Sequence, residues 1–196
     1  MTIDQVKYYY QTETSTGNND VFTISKNVYG EWGPPIQLSG NVNSAYVEDN
    51  PHVLPGETKL FWESDKPGGY GGFDLWYSTK NSNGTWNRAK NMGSGVNTSA
   101  DETQIWVSSD GKIAYFSRNG SIMKSQLVAG KWDSAVSVYF GTTPDMYVAE
   151  PSFSDDGKEV FFVHADSAGG DVVIMYSALQ QDGTWSVAQP SDEVQP

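Results

Sequence analysis

The strongest constraint on the fold is a phrase that occurs four times: an aromatic-rich run, a second short strand, and then Gly-x-Trp. The four phrases end at Trp32, Trp86, Trp132 and Trp185. Repetition at an interval of about 50 residues is typical of solenoids, propellers and other arrays. Because short β-forming runs alternate with Gly, Pro, Asn and Asp turns, we expect antiparallel meanders. The sequence therefore predicts an all-β fold, a β-propeller of four antiparallel four-stranded blades.

The second unit shows the expected strand order most clearly. A first strand follows Glu48-Asp49-Asn50-Pro51, a second covers 59–64, a third covers 73–78, and a fourth is centred on Trp86. We expect one domain, 1–196, with units of about 4–45, 46–99, 100–146 and 147–190. The first unit lacks its first strand, and 191–196 repeats the Glu-x-x-Pro opening as the start of a closing strand. A closed four-bladed ring and a fragment of a larger propeller both fit this pattern.

The order of motifs resembles a known repeat. Glu-x-x-Pro, an Asp-Gly turn, an aromatic strand ending in Ser, Asp74-Leu75-Trp76 and Gly84-Thr85-Trp86 are similar to the TolB-type, WD-like propeller repeat of bacterial envelope proteins. The resemblance covers nearly the whole chain and implies a scaffold or binding platform, in a periplasmic or extracellular setting. Propellers also include enzymes, so the fold alone does not assign an activity.

Composition excludes several partners. The chain carries 24 acidic and 12 basic side chains, a net charge of −12, and it contains no cysteine. Such a charge repels phosphate backbones, so we expect no nucleic-acid partner. No apolar stretch is long enough to span a bilayer, and we expect no membrane insertion. The N-terminal residues show no signal peptide.

Acidic residues recur where the first strands begin. They are Glu48, Asp49, Asp101, Glu102, Glu150, Asp192 and Glu193. If first strands line a central channel, these carboxylates crowd one mouth, where they could bind Ca²⁺ or a ligand, with Asp49 and Asp101 as ligand-binding candidates. In an enzyme, Glu48, Glu102 and Glu150 would be the catalytic acids, as in five-bladed glycosidases of similar architecture. The alternative is that each carboxylate caps backbone N–H groups as a structural device, and then no cofactor or metal is needed.

A Gly-rich loop provides a second candidate site. Tyr70 lies within Gly68-Gly69-Tyr70-Gly71-Gly72, between the aromatic strands that carry Trp62 and Trp76. These rings could form a platform for a sugar, or the two tryptophans could belong to the core with only Tyr70 exposed. We therefore expect a non-catalytic module that binds a glycan or a protein. A carbohydrate-active enzyme and a spacer without a ligand are the alternatives.

Overall fold

The computed structural model describes residues 6–141, 147–165 and 172–191. In these residues the chain forms four antiparallel sheets, each composed of strands that follow one another in sequence. The sheets are arranged as the blades of a four-bladed β-propeller, as the sequence predicts. A 3₁₀ turn at Pro55–Glu57 is the single helical element of the described part.

The sixteen strands divide among the four blades as follows. Blade 1 contains β1 (Lys7–Glu13), β2 (Asn19–Ser25) and β3 (Ile36–Gln37). Blade 2 contains β4 (Glu48–Val53), β5 (Lys59–Ser64), β6 (Asp74–Thr79) and β7 (Lys90–Asn91). Blade 3 contains β8 (Glu102–Val107), β9 (Ile113–Arg118), β10 (Ser121–Val128), β11 (Lys131–Trp132) and β12 (Val136–Ser137). Blade 4 contains β13 (Tyr147–Phe153), β14 (Glu159–Ala165), β15 (Val173–Ala178) and β16 (Gln189–Pro190).

Blade 1 is offset by one strand from blade 2. The amide of Val21 on β2 donates to the Asn43 side chain, and the amide of Leu75 on β6 donates in the same way to Asn97, both at 2.9 Å. These matching contacts make β1, β2 and β3 equivalent to β5, β6 and β7. Within the described residues, blade 1 therefore begins at the second strand position.

The core lies between the blades, in three clusters of buried side chains. One joins blades 1 and 2 and contains Val21, Val42, Leu60, Trp62, Trp76 and Trp86. One joins blades 2 and 3 around Phe61, Leu75 and Phe116. One joins blades 3 and 4 around Phe140, Val148 and Phe162. Because both faces of the inner blades are covered, their strands are apolar on both faces, which explains the aromatic runs of the sequence.

The fourth strand of the second unit, expected to be centred on Trp86, lies later in the chain at β7, whereas Trp132 of blade 3 does lie in a short strand, β11. Trp32, Trp86 and Trp185 each make a single bridge with the preceding strand, and the fourth strands of blades 1, 2 and 4 begin a few residues later. Trp86 is buried, whereas Trp32 is 45% exposed. A common role in packing between blades therefore fits Trp86 and does not fit Trp32.

Candidate functional site

A cavity of about 430 Å³ lies where the inner strands of all four blades converge. Its walls are three consecutive residues from each of β1, β4, β8 and β13, namely 9–11, 50–52, 104–106 and 150–152. The lining combines the aromatic rings of Tyr9, Tyr10 and Trp106 with amide, carboxylate and imidazole groups. Concave sites with apolar walls and a few convergent polar groups are typical of ligand pockets.

Three residues of this lining share an unusual backbone conformation. Asn50, Gln104 and Glu150 have φ angles of 48°, 52° and 56°. Residues other than glycine rarely adopt this left-handed region, and such backbone strain clusters at functional sites. Each residue lies within an interruption of the register between the first and second strands of its blade. Since a β-bulge re-aims side chains, the same device brings three polar side chains to the cavity.

Glu63 and Ser117, which do not line the cavity, accept hydrogen bonds from these irregular segments. The carboxylate of Glu63 accepts the backbone N–H of Gln104 and, at 3.1 Å, the side-chain amide of Asn50. In the next blade the Ser117 hydroxyl accepts the backbone N–H of Glu150 at 3.0 Å. Glu63 and Ser117 occupy equivalent places on β5 and β9, opposite Asp49 and Thr103. A contact between neighbouring blades therefore fixes the bulge residues.

The carboxyl group of Glu63 has a pKa raised to about 7, chiefly by burial. The hydrogen bonds from Gln104 and Asn50 oppose this shift, whereas the negative charges of Asp49 and Glu150 increase the pKa further. Glu63 is 6% exposed and does not line the cavity. Glu63 was not among the site residues expected from the sequence. The available signal was an acidic residue inside the aromatic strand Leu60-Phe61-Trp62-Glu63.

A second cavity, of about 690 Å³, adjoins the first and shares Tyr9, His52 and Trp106 with it. At its edge, Glu57 accepts bonds from Lys7, Lys80 and the Tyr9 hydroxyl. Burial alone would raise the pKa of Glu57, but the bonds from Lys80, Tyr9 and Lys7 lower it to about 2. This network ties blade 1 to blade 2. Burial also lowers the pKa of His52, whose Nε2 lies 2.9 Å from the carbonyl oxygen of Val107.

Glu48 and Glu102 are placed away from the central cavity. Both are completely buried. Glu48 accepts bonds from the backbone and hydroxyl of Ser44, at 2.8 and 2.6 Å, and Glu102 accepts the same pair from Thr98. Glu102 also receives Arg118 Nε at 2.7 Å. These contacts join the start of a blade to the loop before it, and burial raises the pKa of Glu48.

Glu150 differs from the other two expected acids. It is exposed and lines the cavity, and its backbone conformation matches Asn50 and Gln104. The place of Glu48 and Glu102 is taken in blade 4 by Val148, because Val148 pairs with His164 as Glu48 pairs with Ser64. The structure therefore brings only Glu150 of the three to the cavity. Asp192 and Glu193 lie outside the described residues.

The other expected ligand-binding residues are dispersed. Asp49 accepts the Asn19 side chain at 3.0 Å, and Asp101 accepts the backbone N–H of Phe73 at 2.9 Å. Trp62 and Trp76 are buried in the cluster between blades 1 and 2. Tyr70 is 53% exposed and lines a separate cavity of about 490 Å³ beside Tyr77.

The glycines of the Tyr70 loop have a packing role. A Cβ atom on Gly71 would lie 2.3 Å from the carbonyl oxygen of Ala100 in the next blade. On Gly69 it would overlap the Asp74 carboxylate. Glycine is therefore required for close approach at both positions.

The described residues contain no cluster of three or more His, Asp or Glu side chains placed to hold a metal ion. No helix there is sufficiently long and apolar to cross a membrane.

Comparisons with known proteins identify similar folds. No protein-family model and no curated protein sequence matches the chain. Among solved structures, TolB from Acinetobacter baumannii is similar with a TM-score of 0.55 and 16% identity, over 95% of this chain and 41% of that one. The catalytic domain of the GH62 α-L-arabinofuranosidase from Coprinopsis cinerea has a TM-score of 0.58 and 13% identity, over 98% and 67%.

An endo-arabinase from Bacteroides thetaiotaomicron is also similar, with a TM-score of 0.58 and 13% identity, over 94% of this chain and 75% of that one. At these identities the similarity concerns the fold alone. The resemblance to the TolB-type repeat is therefore a similarity of architecture, and the chain spans less than half of the TolB structure.

Proposed function

We propose that the chain is a non-catalytic binding module that takes a glycan in the cavity at the centre of its blades. The observation that carries this proposal is the set Asn50, Gln104 and Glu150. These three polar residues occupy one repeat position, each has a strained backbone, and all line the cavity. Amide and carboxylate groups donate to and accept from sugar hydroxyls, and the aromatic rings of the same cavity offer apolar faces.

The carboxylates support binding over catalysis. Glycoside hydrolysis uses two carboxyl groups about 5 to 9.5 Å apart, on either side of the scissile bond. In the described lining of the central cavity, Glu150 is the single carboxylate. Glu48 and Glu102 have all their oxygens engaged in contacts that join blade to loop. A periplasmic or extracellular location belongs to the proposal, since glycans are abundant there.

The experiment is a glycan array followed by calorimetry with the saccharide that binds best. Wild type is compared with Gln104→Ala and Glu150→Gln, and with Asp110→Asn as a control at an exposed turn. We expect the first two variants to lose at least tenfold in affinity and the control to match wild type. Full affinity in both cavity variants would overturn the proposal. If the array stays empty and a protein partner is captured through the same residues, the glycan assignment is wrong.

A glycosidase-like activity is the second candidate, because of Glu63. A carboxyl group with a pKa of about 7 suits a general acid, and Asp49 and Glu150 lie close enough to influence that pKa. In this alternative the carboxyl group of Glu63, which does not line the cavity and is bonded to the backbone of Gln104, would have to contact the substrate. Release of reducing sugar by wild type, abolished in Glu63→Gln, would support this activity. Binding without release of reducing sugar would rule it out in favour of the binding module.

A further inference from the structure

A further cavity lies at the interface between blades 1 and 2. This cavity of about 480 Å³ is enclosed by the loop 40–44, the segment 66–68 that follows β5, and the side chains of Trp76 and Arg88. It shares no residue with the two cavities at the centre of the propeller. Its volume lies in the range of small-molecule sites.

The two charged residues in its lining are both cationic, Lys66 and Arg88. The whole chain has a net charge of −12, so a lining with two cations and no acidic residue is unusual for this protein. Glu48 lies near Lys66, but it is fully buried, and Ser44 and Ser64 already bind its oxygens.

Blade 3 provides an internal comparison for a cation near a buried glutamate, although Arg118 aligns with Ser64 and not with Lys66. Arg118 lies over the ring of Phe116 and forms an ion pair with the buried Glu102. In blade 2, Lys66 Nζ lies 4.8 Å from the ring centroid of Trp62, the counterpart of Phe116, and 4.3 Å from that of Trp76. Within the described part of the chain, Lys66 has no ion pair. Its ammonium therefore lies against two indole rings and near Glu48, with which it forms no ion pair.

A second cation, Arg88, borders the same cavity. Among the described residues, Arg88 makes no ion pair. An ammonium and a planar guanidinium fork together favour a ligand rich in acceptor oxygens. Burial lowers the pKa of Lys66 to about 8, and a bound anion would favour its charged form.

We propose that this cavity binds a carboxylate-bearing sugar of the uronic acid class, with Lys66 and Arg88 contacting the carboxylate. The carboxylate follows from the two cations of the lining. That a sugar carries it rests on the proposed glycan-binding function.

The test is calorimetry with D-glucuronate, D-glucose and acetate. Wild type is compared with Lys66→Met, which keeps an unbranched chain over the two indoles, and with Arg88→Gln. Lys131→Gln is the control, because Lys131 is exposed and lines a different cavity. We expect glucuronate to bind wild type and the control with equal affinity. Its affinity for each of the two cavity variants should be at least tenfold lower. Acetate should bind wild type more weakly than glucuronate does. The affinity for glucose, which has no carboxylate, should be the same in Lys66→Met as in wild type.

Glucuronate affinity that is unchanged in Lys66→Met and Arg88→Gln would overturn the proposal. Acetate that binds as tightly as glucuronate would overturn the assignment to a sugar. The central cavity is tested separately with Gln104→Ala, which should leave glucuronate binding at Lys66 unchanged. Loss of glucuronate binding in Lys66→Met alone, with no saccharide bound by the central residues, would support this site and refute the proposed central function.

Discussion

Replacement of Glu102 by alanine tests whether the acidic start of a blade is a structural device. Glu102 is completely buried, and it accepts the backbone amide of Thr98 at 2.8 Å and Arg118 Nε at 2.7 Å. The Arg118 side chain is 14% exposed, so the variant would leave a nearly buried guanidinium without its carboxylate. Removal of one member of a buried pair typically costs about 3–5 kcal/mol. We expect Glu102→Ala to lose that much free energy of unfolding.

Urea denaturation followed by tryptophan fluorescence measures this loss. At about 2–4 °C per kcal/mol for a chain of this size, the melting temperature should fall by roughly 6–20 °C. Glu150→Ala is the control, because Glu150 is exposed, and it should change the stability by less than about 0.5 kcal/mol. Glu102→Ala combined with Arg118→Met should recover part of the loss, since no unpaired charge remains. A loss below about 1 kcal/mol in Glu102→Ala would refute this reasoning.

Three further predictions concern stability. Trp86→Ala should cost about 3–5 kcal/mol and Trp32→Ala about 1 kcal/mol or less, because only Trp86 is buried; equal losses in urea denaturation would contradict this. The Glu63 carboxyl, with a pKa of about 7 against 4.5, stabilises the fold fully below pH 4.5, and this contribution disappears as the pH rises to 7. As the pH rises from 4.5 to 7, the free energy of unfolding of Glu63→Gln should therefore increase relative to that of wild type by on the order of 3 kcal/mol. Glu57, whose pKa is lowered to about 2, stabilises above pH 4.5 and loses this effect as the pH falls towards 2. Glu57→Gln should be about 1–2 kcal/mol less stable than wild type at pH 7, with a difference that shrinks in acid.

The blade architecture follows from local patterns. The strands Lys59–Ser64 and Asp74–Thr79 match the expected second and third strands almost residue for residue, because turn residues and β-branched or aromatic runs are local signals. The fourth strands could not be located in this way. They are only two residues long, and Trp86, the apparent centre of one of them, makes a single bridge to Lys80.

Asn50 and Gln104 could not be recognised as cavity residues because their left-handed conformation, which Glu150 shares, has no compositional signal. The Glu-x-x-Pro pattern also aligned the wrong acid in blade 4. In the structure, Glu150-Pro151 corresponds to Asn50-Pro51, so the proline marks the common position and the glutamate does not.

The expected closing strand at 191–196 lies outside the described residues, apart from Ser191. The amide of Ser191 donates to Ile174 as the amides of Leu38 and Met92 donate to Val21 and Leu75. The interval from Leu38 to Glu48 equals that from Met92 to Glu102, whereas Glu193 follows Ser191 almost at once. This spacing does not support the alignment of Glu193 with Glu48.

The most direct test of the central claim is to measure stability and binding together for Gln104→Gly. Glycine keeps the backbone N–H that Glu63 accepts, relieves the strain of a φ of 52°, and removes only the side chain that faces the cavity. If Gln104 is retained for a ligand, the variant should be at least as stable as wild type and bind the array-selected saccharide at least tenfold more weakly. A variant that is clearly destabilised and binds normally would show that the strained residue serves the fold, and would contradict the account.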